Sequence, residues 1–174
     1  AEKIAGAINA SDGVFKLGFS TGSSLIGIYR SLVRRYEAGE LSFKNVEIYS
    51  TDEYYPAPAD NHSRNRRLYD EFVSQVDIKP ENVFIPKLTE LHDSTYVSEF
   101  CAAFDVKATG LDLMIMGVGE KGQVGFNENG ASEFTRTRTV LLPYGSRKRQ
   151  AKNFGSVDAT PRTAISMGIS TMLS

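Results

Sequence analysis

The sequence predicts an α/β fold with a mostly parallel sheet, and three observations carry that reading. Residues 111–116, apolar apart from Asp112, read as a strand buried on both faces, as in a parallel sheet. That stretch breaks abruptly into a loop holding Gly117, Gly119, Gly122, Gly125 and Gly130. Twice earlier in the chain, a short apolar segment gives way to a polar loop and then to residues with helical periodicity. Alternation of this kind builds parallel sheets with crossover helices. A chain of 174 residues, 41% hydrophobic and 24% charged, is long enough for a sizeable core, and it is read as one domain over 1–174.

Residues 1–10 place Ile4 and Ile8 four apart, as at the end of an amphipathic helix. No capping residue precedes them, so the chain is expected to begin part-way into a domain. A turn at 11–13 leads to a first strand at 14–19. Ser20, Thr21, Gly22, Ser23 and Ser24 follow, and Leu25, Ile28, Tyr29 and Leu32 then mark one face of a helix. Hydroxyls and backbone N–H groups at a helix start can all point at phosphate oxygens; capping by a serine is the plainer alternative. The loop is neither a Walker A sequence nor a G-x-G-x-x-G fingerprint.

A second strand at 46–50 ends at Thr51, Asp52 and Glu53. Acidic residues there either cap a helix or act as working carboxylates, and Pro56 and Pro58 weigh against an immediate helix. Residues 57–63 read as a loop. Residues 64–76 read as a helix with Leu68, Phe72 and Val76 inward and its arginines on a solvated face. A short strand is expected at 82–85. A helix at 94–104 is expected to pack through Tyr96, Phe100, Ala103 and Phe104, with Cys101 a packing residue. Beyond the glycine-rich loop, 135–142 alternates like a half-buried strand. Residues 147–154 form a basic helical stretch suited to closing over an anion, 163–169 read as another strand, and Ser170 begins a helix.

The net charge of −1 gives no global attraction to nucleic acid or an anionic membrane. No apolar run has the length of a membrane span and no secretory signal heads the chain, so the protein is read as cytoplasmic. One cysteine and two histidines leave no disulfide framework and no cysteine- or histidine-rich metal site.

Three features stand in fixed order: the 20–24 hydroxyl loop after a first strand, Asp52-Glu53-Tyr54 after a second, and Gly117-Val118-Gly119 through Phe126-Asn127-Glu128 to Gly130. Together they resemble the glucosamine-6-phosphate deaminase (isomerase) family, whose wider superfamily includes the 6-phosphogluconolactonases. Residues 41–46 and Arg136-Thr137-Arg138 extend the resemblance over nearly the whole chain. Asp52-Glu53-Tyr54 and Phe126-Asn127-Glu128 resemble the deaminase branch more than the lactonases. The resemblance implies a doubly wound, mostly parallel, Rossmann-like sheet with helices on both faces. Family members continue through further strand–helix units, one supplying a phosphate-binding lysine, so this chain is expected to hold that fold in C-terminally incomplete form.

The implied chemistry is conversion of glucosamine 6-phosphate to fructose 6-phosphate and ammonia, without any metal or organic cofactor. Asp52 is implied as the base that moves a proton between C2 and C1, and Glu128 as part of the ring-opening relay. Ser20, Thr21, Gly22, Ser23 and Ser24 are implied to hold the phosphate, with Arg147 helping from a mobile lid. The implied partner is a sugar 6-phosphate, and a homo-oligomer is compatible with the family.

The family reads Gly-x-Asp-Gly-His through the loop, whereas here Lys121 replaces the Asp and Gln123 the His. A glutamine amide does not shuttle protons near neutral pH, and a lysine reverses the charge that would steady an imidazolium. Losing a general acid–base costs about 10²–10⁴-fold in rate. Two hypotheses follow: an amino-sugar phosphate isomerase with altered ring opening, in which Glu120 or His62 substitutes, and a non-catalytic sugar-phosphate binding or regulatory domain.

Overall fold

The computed structural model describes residues 1–59 and 62–174. The strand β1 (Phe15–Phe19) sits inside a four-stranded parallel sheet of order β4-β2-β1-β5, with β2 at Val46–Ser50, β4 at Val83–Phe84 and β5 at Leu113–Ile115. Alternation along the strands sends Phe15, Leu17, Phe19, Val46 and Ile48 to one face, into a core shared with Ile4, Ile8, Leu25, Tyr29 and Leu32. These last five come from α1 (Glu2–Asn9) and from the segment leading into and along α2 (Ile26–Glu37). On the other face Tyr49 packs with Phe104 and Ala108 of α4 (Ser94–Ala108), and with Met167 and Met172. Helices therefore cover both faces, as the doubly wound expectation requires.

Four aromatic rings lock the first face. Phe19 meets Tyr29 edge-on at 5.3 Å and Phe72 at 5.6 Å, Tyr29 stacks on Phe72 at 5.8 Å, and Phe43 meets Phe72 at 5.0 Å. Each such pair contributes about 0.5–1.5 kcal/mol beyond the area it buries. They hold α2 and the short α3 (Arg66–Glu71) against the strands whose ends carry the candidate site.

The chain leaves the parallel sheet at Thr51. The Thr51 N–H still donates to the Phe19 carbonyl (3.1 Å), while its own carbonyl accepts the Met167 N–H (2.7 Å). From Asp52 onward the backbone enters a second, antiparallel sheet of order β3-β7-β6, with β3 at Asp52–Tyr54, β6 at Arg138–Leu141 and β7 at Thr163–Ser166. The helix α5 (Tyr144–Phe154) joins β6 to β7, and α6 (Ile169–Met172) follows β7.

Several expectations need correction. The stretch 111–116 is not buried on both faces: β5 is an edge strand, and its three residues are half-buried. Asp52 and Glu53 do not lie in a loop after a strand but open a new one, because β7 supplies a partner for their backbone. The helix expected at 64–76 is shorter, and its arginines do not share one solvated face. On α4 the packing face is Val97, Cys101, Phe104 and Ala108, while Ala103 is exposed and Tyr96 stacks on His92 at 4.2 Å at the surface. The loop expected over 57–63 includes Asp60 and Asn61, which lie outside the described residues. Among the described residues no helix is long and apolar enough to cross a membrane.

Candidate active site

Where the chain passes from one sheet to the other, Asp52 is fully buried and surrounded by donors. Its Oδ2 accepts from the Thr51 hydroxyl (2.8 Å) and its Oδ1 from the Thr21 hydroxyl (3.4 Å). The Arg64 Nε also donates to Oδ1, forming an ion pair whose arginine side chain is only 17% exposed. Gly125 closes the remaining side. It has φ +59°, and a Cβ there would lie 3.2 Å from both Asp52 Oδ2 and Ser166 Oγ. Only glycine combines that backbone conformation with so close an approach.

Arg64 reaches this position because Glu53, also fully buried, organises the segment before α3. Glu53 Oε1 accepts the backbone N–H of Arg64 (3.0 Å) and Oε2 accepts the Asn65 side-chain amide (2.9 Å) and the Ser63 hydroxyl. The guanidinium then lies over the Phe126 ring, 4.5 Å from its centroid. Desolvation is the largest single influence and works against its charge, but Asp52 and Tyr54 together hold the Arg64 pKa above its ordinary value.

The hydroxyl loop lies directly above. Ser20 and Thr21 are buried, while Ser23 and Ser24 are exposed. The Tyr29 hydroxyl donates to the Ser20 carbonyl (2.7 Å), tying the loop to α2; burial first, and then the charge on Asp52, raises the pKa of that phenol. No serine side chain caps the helix start, so the loop hydroxyls are not consumed by capping.

The glycine-rich loop forms the opposite wall. The Asn127 amide donates to the Met167 carbonyl (2.8 Å), its oxygen accepts from Arg138 Nη1 (3.0 Å), and the Phe126 N–H donates to Ser166 Oγ (3.1 Å). Glu128 accepts a hydrogen bond from Ser146 on α5, and Arg149 Nη2 donates to that same hydroxyl (2.8 Å) while standing 4.0 Å from Glu128 Oε1. Gln123 turns back on its own loop, its Oε1 accepting the Lys121 N–H (2.9 Å), and Lys121 is exposed.

These walls enclose two adjoining cavities. The smaller, about 220 Å³, is bordered by Ser20, Gly22, Ser23, Ser24, Gln123, Gly125, Glu128 and Arg149. The larger, about 860 Å³, is an open cleft bordered by Thr21, Tyr54, His62, Glu120, Lys152 and Phe154. Arg64 borders both. Volumes of this order are usual for small-molecule sites. Asp52 itself borders neither cavity but is buried directly behind Thr21, Arg64 and Gly125, which do.

Of the residues singled out from the sequence, Ser20, Thr21, Gly22, Ser23, Ser24, Asp52, Gln123 and Glu128 therefore converge. Glu120 and His62 reach the larger cleft, and His62 stacks on Phe154 at 5.1 Å. Lys121 borders neither cavity. Arg147 turns away to the Val157 carbonyl (3.2 Å), and Arg149 is the arginine of that helix which faces the site. Sequence reasoning places Arg64 on a solvated helix face and Arg149 only within the basic stretch 147–154, and it does not single out Ser146. A helical phase starting at Arg66 rather than Arg64 is the signal that separates Arg64 from its neighbours.

Comparison with known proteins agrees with this arrangement. Residues 1–150 match the model of the family described as glucosamine-6-phosphate isomerases/6-phosphogluconolactonase. A glucosamine-6-phosphate deaminase of Beutenbergia cavernae is 39% identical over 162 residues, covering 90% of this chain and 60% of the relative. A glucosamine-6-phosphate isomerase of Candida albicans is 38% identical over 178 residues, covering 99% and 70%. Among solved structures, a monomeric glucosamine-6-phosphate deaminase superposes with TM-score 0.87 at 32% identity, over 99% of this chain and 71% of that one. The 6-phosphogluconolactonase of Thermotoga maritima, at 18% identity and TM-score 0.65, shares the fold. This chain thus spans between three-fifths and three-quarters of the length of these relatives. By its matched sequence and its architecture, it belongs to the glucosamine-6-phosphate isomerase/6-phosphogluconolactonase family.

Proposed function

We propose that residues 1–174 act as one sugar-phosphate unit that converts an amino-sugar 6-phosphate, glucosamine 6-phosphate, to fructose 6-phosphate and ammonia, in a cytoplasmic setting and without a metal or organic cofactor. The observation that carries this reading is the buried Asp52 carboxylate beneath a hydroxyl-lined cavity that Glu128 also borders. A loop of hydroxyls and N–H groups suits a phosphate, and a carboxylate a few ångströms away suits proton transfer between adjacent carbons. In this reading Ser20, Thr21, Gly22, Ser23 and Ser24 hold the phosphate, Asp52 moves the proton, and Glu128 serves ring opening. Arg149 takes the lid role that the resemblance gave to Arg147, since its guanidinium faces the cavity.

The orientation of Gln123 favours a second reading, a binding domain without turnover. Its amide is engaged with the Lys121 N–H, and neither residue offers an acid–base group suited to neutral pH. Ammonia release from glucosamine 6-phosphate separates the two. The isomerase reading expects measurable turnover that falls about 10²–10⁴-fold in Asp52→Asn and rises in Lys121→Asp with Gln123→His. Tight sugar-phosphate binding with no ammonia from either the wild type or the double variant decides for the binding domain.

A further inference from the structure

We propose that Arg64 is the electrophile of this site: its guanidinium holds the negative charge that develops on the substrate carbonyl oxygen while Asp52 takes the proton. The inference rests on the isomerase reading above and assigns a residue that the reading leaves without a role.

Arg64 is placed for a task that ordinary surface arginines do not have. Its backbone is fixed by Glu53, its Nε donates to Asp52, and its guanidinium faces the Phe126 ring. Arg66 and Arg67, two and three residues on, are exposed, and Arg66 pairs with Asp70. A guanidinium has five N–H donors. Asp52 engages the Nε–H of that set, and the residue borders both cavities, so donors remain for a ligand oxygen.

Charge accounting gives the role. Before reaction, a fully buried carboxylate and a largely buried guanidinium neutralise each other. If Asp52 accepted a proton and nothing else changed, the guanidinium would be left as a desolvated, uncompensated cation, which is strongly unfavourable. That penalty vanishes when the same step creates an anion beside the guanidinium. Proton transfer in an open-chain amino-sugar does this. The C2–H bond breaks and its electron pair forms the C1–C2 double bond. The π pair of the C1 carbonyl moves onto oxygen, and the proton goes to Asp52. Negative charge thus passes from the carboxylate to the substrate oxygen while the cation stays still. The proton then passes from Asp52 to C1: the C1–C2 π pair forms the C1–H bond, the nitrogen lone pair forms the C2=N bond, and a nitrogen-bound proton moves to the C1 oxygen. This leaves a C1 hydroxyl, a C2 imine that water hydrolyses to the ketone and ammonia, and a restored Asp52 carboxylate facing the guanidinium. A fixed donor aimed at charge that appears only in the transition state is the most effective electrostatic arrangement a site can have.

The test compares wild type with Arg64→Gln and Arg64→Lys in the full chain. Ammonia release from glucosamine 6-phosphate reports kcat and KM; calorimetry with inorganic phosphate reports binding that involves no carbonyl. The expected result is a fall in kcat of about 10²–10³-fold in Arg64→Gln, with phosphate affinity within about twofold of wild type. Arg64→Lys, which keeps the charge but loses the planar fork, recovers part of that rate. If the glutamine variant does not fold, the lysine variant is read alone, and unchanged kcat in it overturns the assignment. Turnover kept in both variants, or a loss of phosphate affinity as large as the loss of kcat, overturns Arg64 while leaving Asp52 in place. A wild-type chain that binds glucosamine 6-phosphate but releases no ammonia overturns Arg64 together with the isomerase reading.

Discussion

In the proposed reading, the Asp52–Arg64 ion pair serves a site rather than the fold. Such pairs contribute little net stability while intact, yet removing one partner costs roughly 3–5 kcal/mol because the other charge is stranded. Asp52→Asn is therefore expected to lose both turnover and stability, the latter seen as a lower urea midpoint with an unchanged m-value. A midpoint equal to wild type would mean that the Arg64 charge is solvated rather than held. Cys101 illustrates the opposite case, a buried group with no chemistry. Burial, and secondarily the neighbouring Asp105, pushes its thiol up to about 11, above the ordinary thiol value. The folded state thus binds this proton more tightly than the unfolded chain. The associated stability is complete below pH 9 and declines as pH rises to about 11. The loss amounts to roughly 2–3 kcal/mol at one pKa unit per 1.36 kcal/mol. Denaturation midpoints of wild type and Cys101→Ala between these pH values check the sign: the wild type should weaken with pH more steeply than the variant.

Elements whose pattern is local were legible before the structure. The strands β1 and β2 and the inward face of α2 follow from periodicity alone, and Asp52 stood out because an acid after a core strand was followed by prolines. Elements whose character depends on distant partners were not. The antiparallel turn of the chain at Asp52 requires β7, more than a hundred residues away, and the exposure of β5 depends on its place at a sheet edge. Tyr96 looked like core because it is large and aromatic, but stacking on His92 satisfies it at the surface. The glycine-rich loop was legible as a site wall, although its individual glycines were not distinguishable. Gly122 and Gly125 both have positive φ, at +78° and +59°, but only Gly125 abuts Asp52 and Ser166, while nothing lies within 4 Å of a Cβ at Gly122. Either change to alanine costs about 1–2 kcal/mol for the left-handed backbone. Gly125→Ala is expected in addition to displace Asp52 and lower kcat at least tenfold, whereas Gly122→Ala keeps kcat. Equal kcat in the two variants, measured by ammonia release, would count against the contact at Gly125 as the reason for its glycine.

Across the whole molecule, the site occupies the seam between two sheets that share few backbone hydrogen bonds. The Met167 N–H donates to the Thr51 carbonyl, and the Asn127 amide donates to the Met167 carbonyl, so both the parallel sheet and the glycine-rich loop are fastened to the end of β7. Asp105 adds a second fastening from α4, accepting from the Thr137 N–H (3.2 Å) and the Thr171 hydroxyl (2.7 Å). A ligand that bridges the hydroxyl loop of one sheet and the Glu128 wall of the other therefore binds only when both sheets are formed. It should stabilise them as one cooperative unit. At a ligand concentration one hundred times Kd, the added stability is about 2.7 kcal/mol, which for a domain of this size raises Tm by about 5–10 °C. Calorimetric scans with and without glucosamine 6-phosphate are expected to give a single transition that moves as a whole. If two transitions separate and only one of them shifts, the ligand contacts one sheet alone, and the placement of its phosphate and its reacting carbons on opposite sides of the seam is wrong.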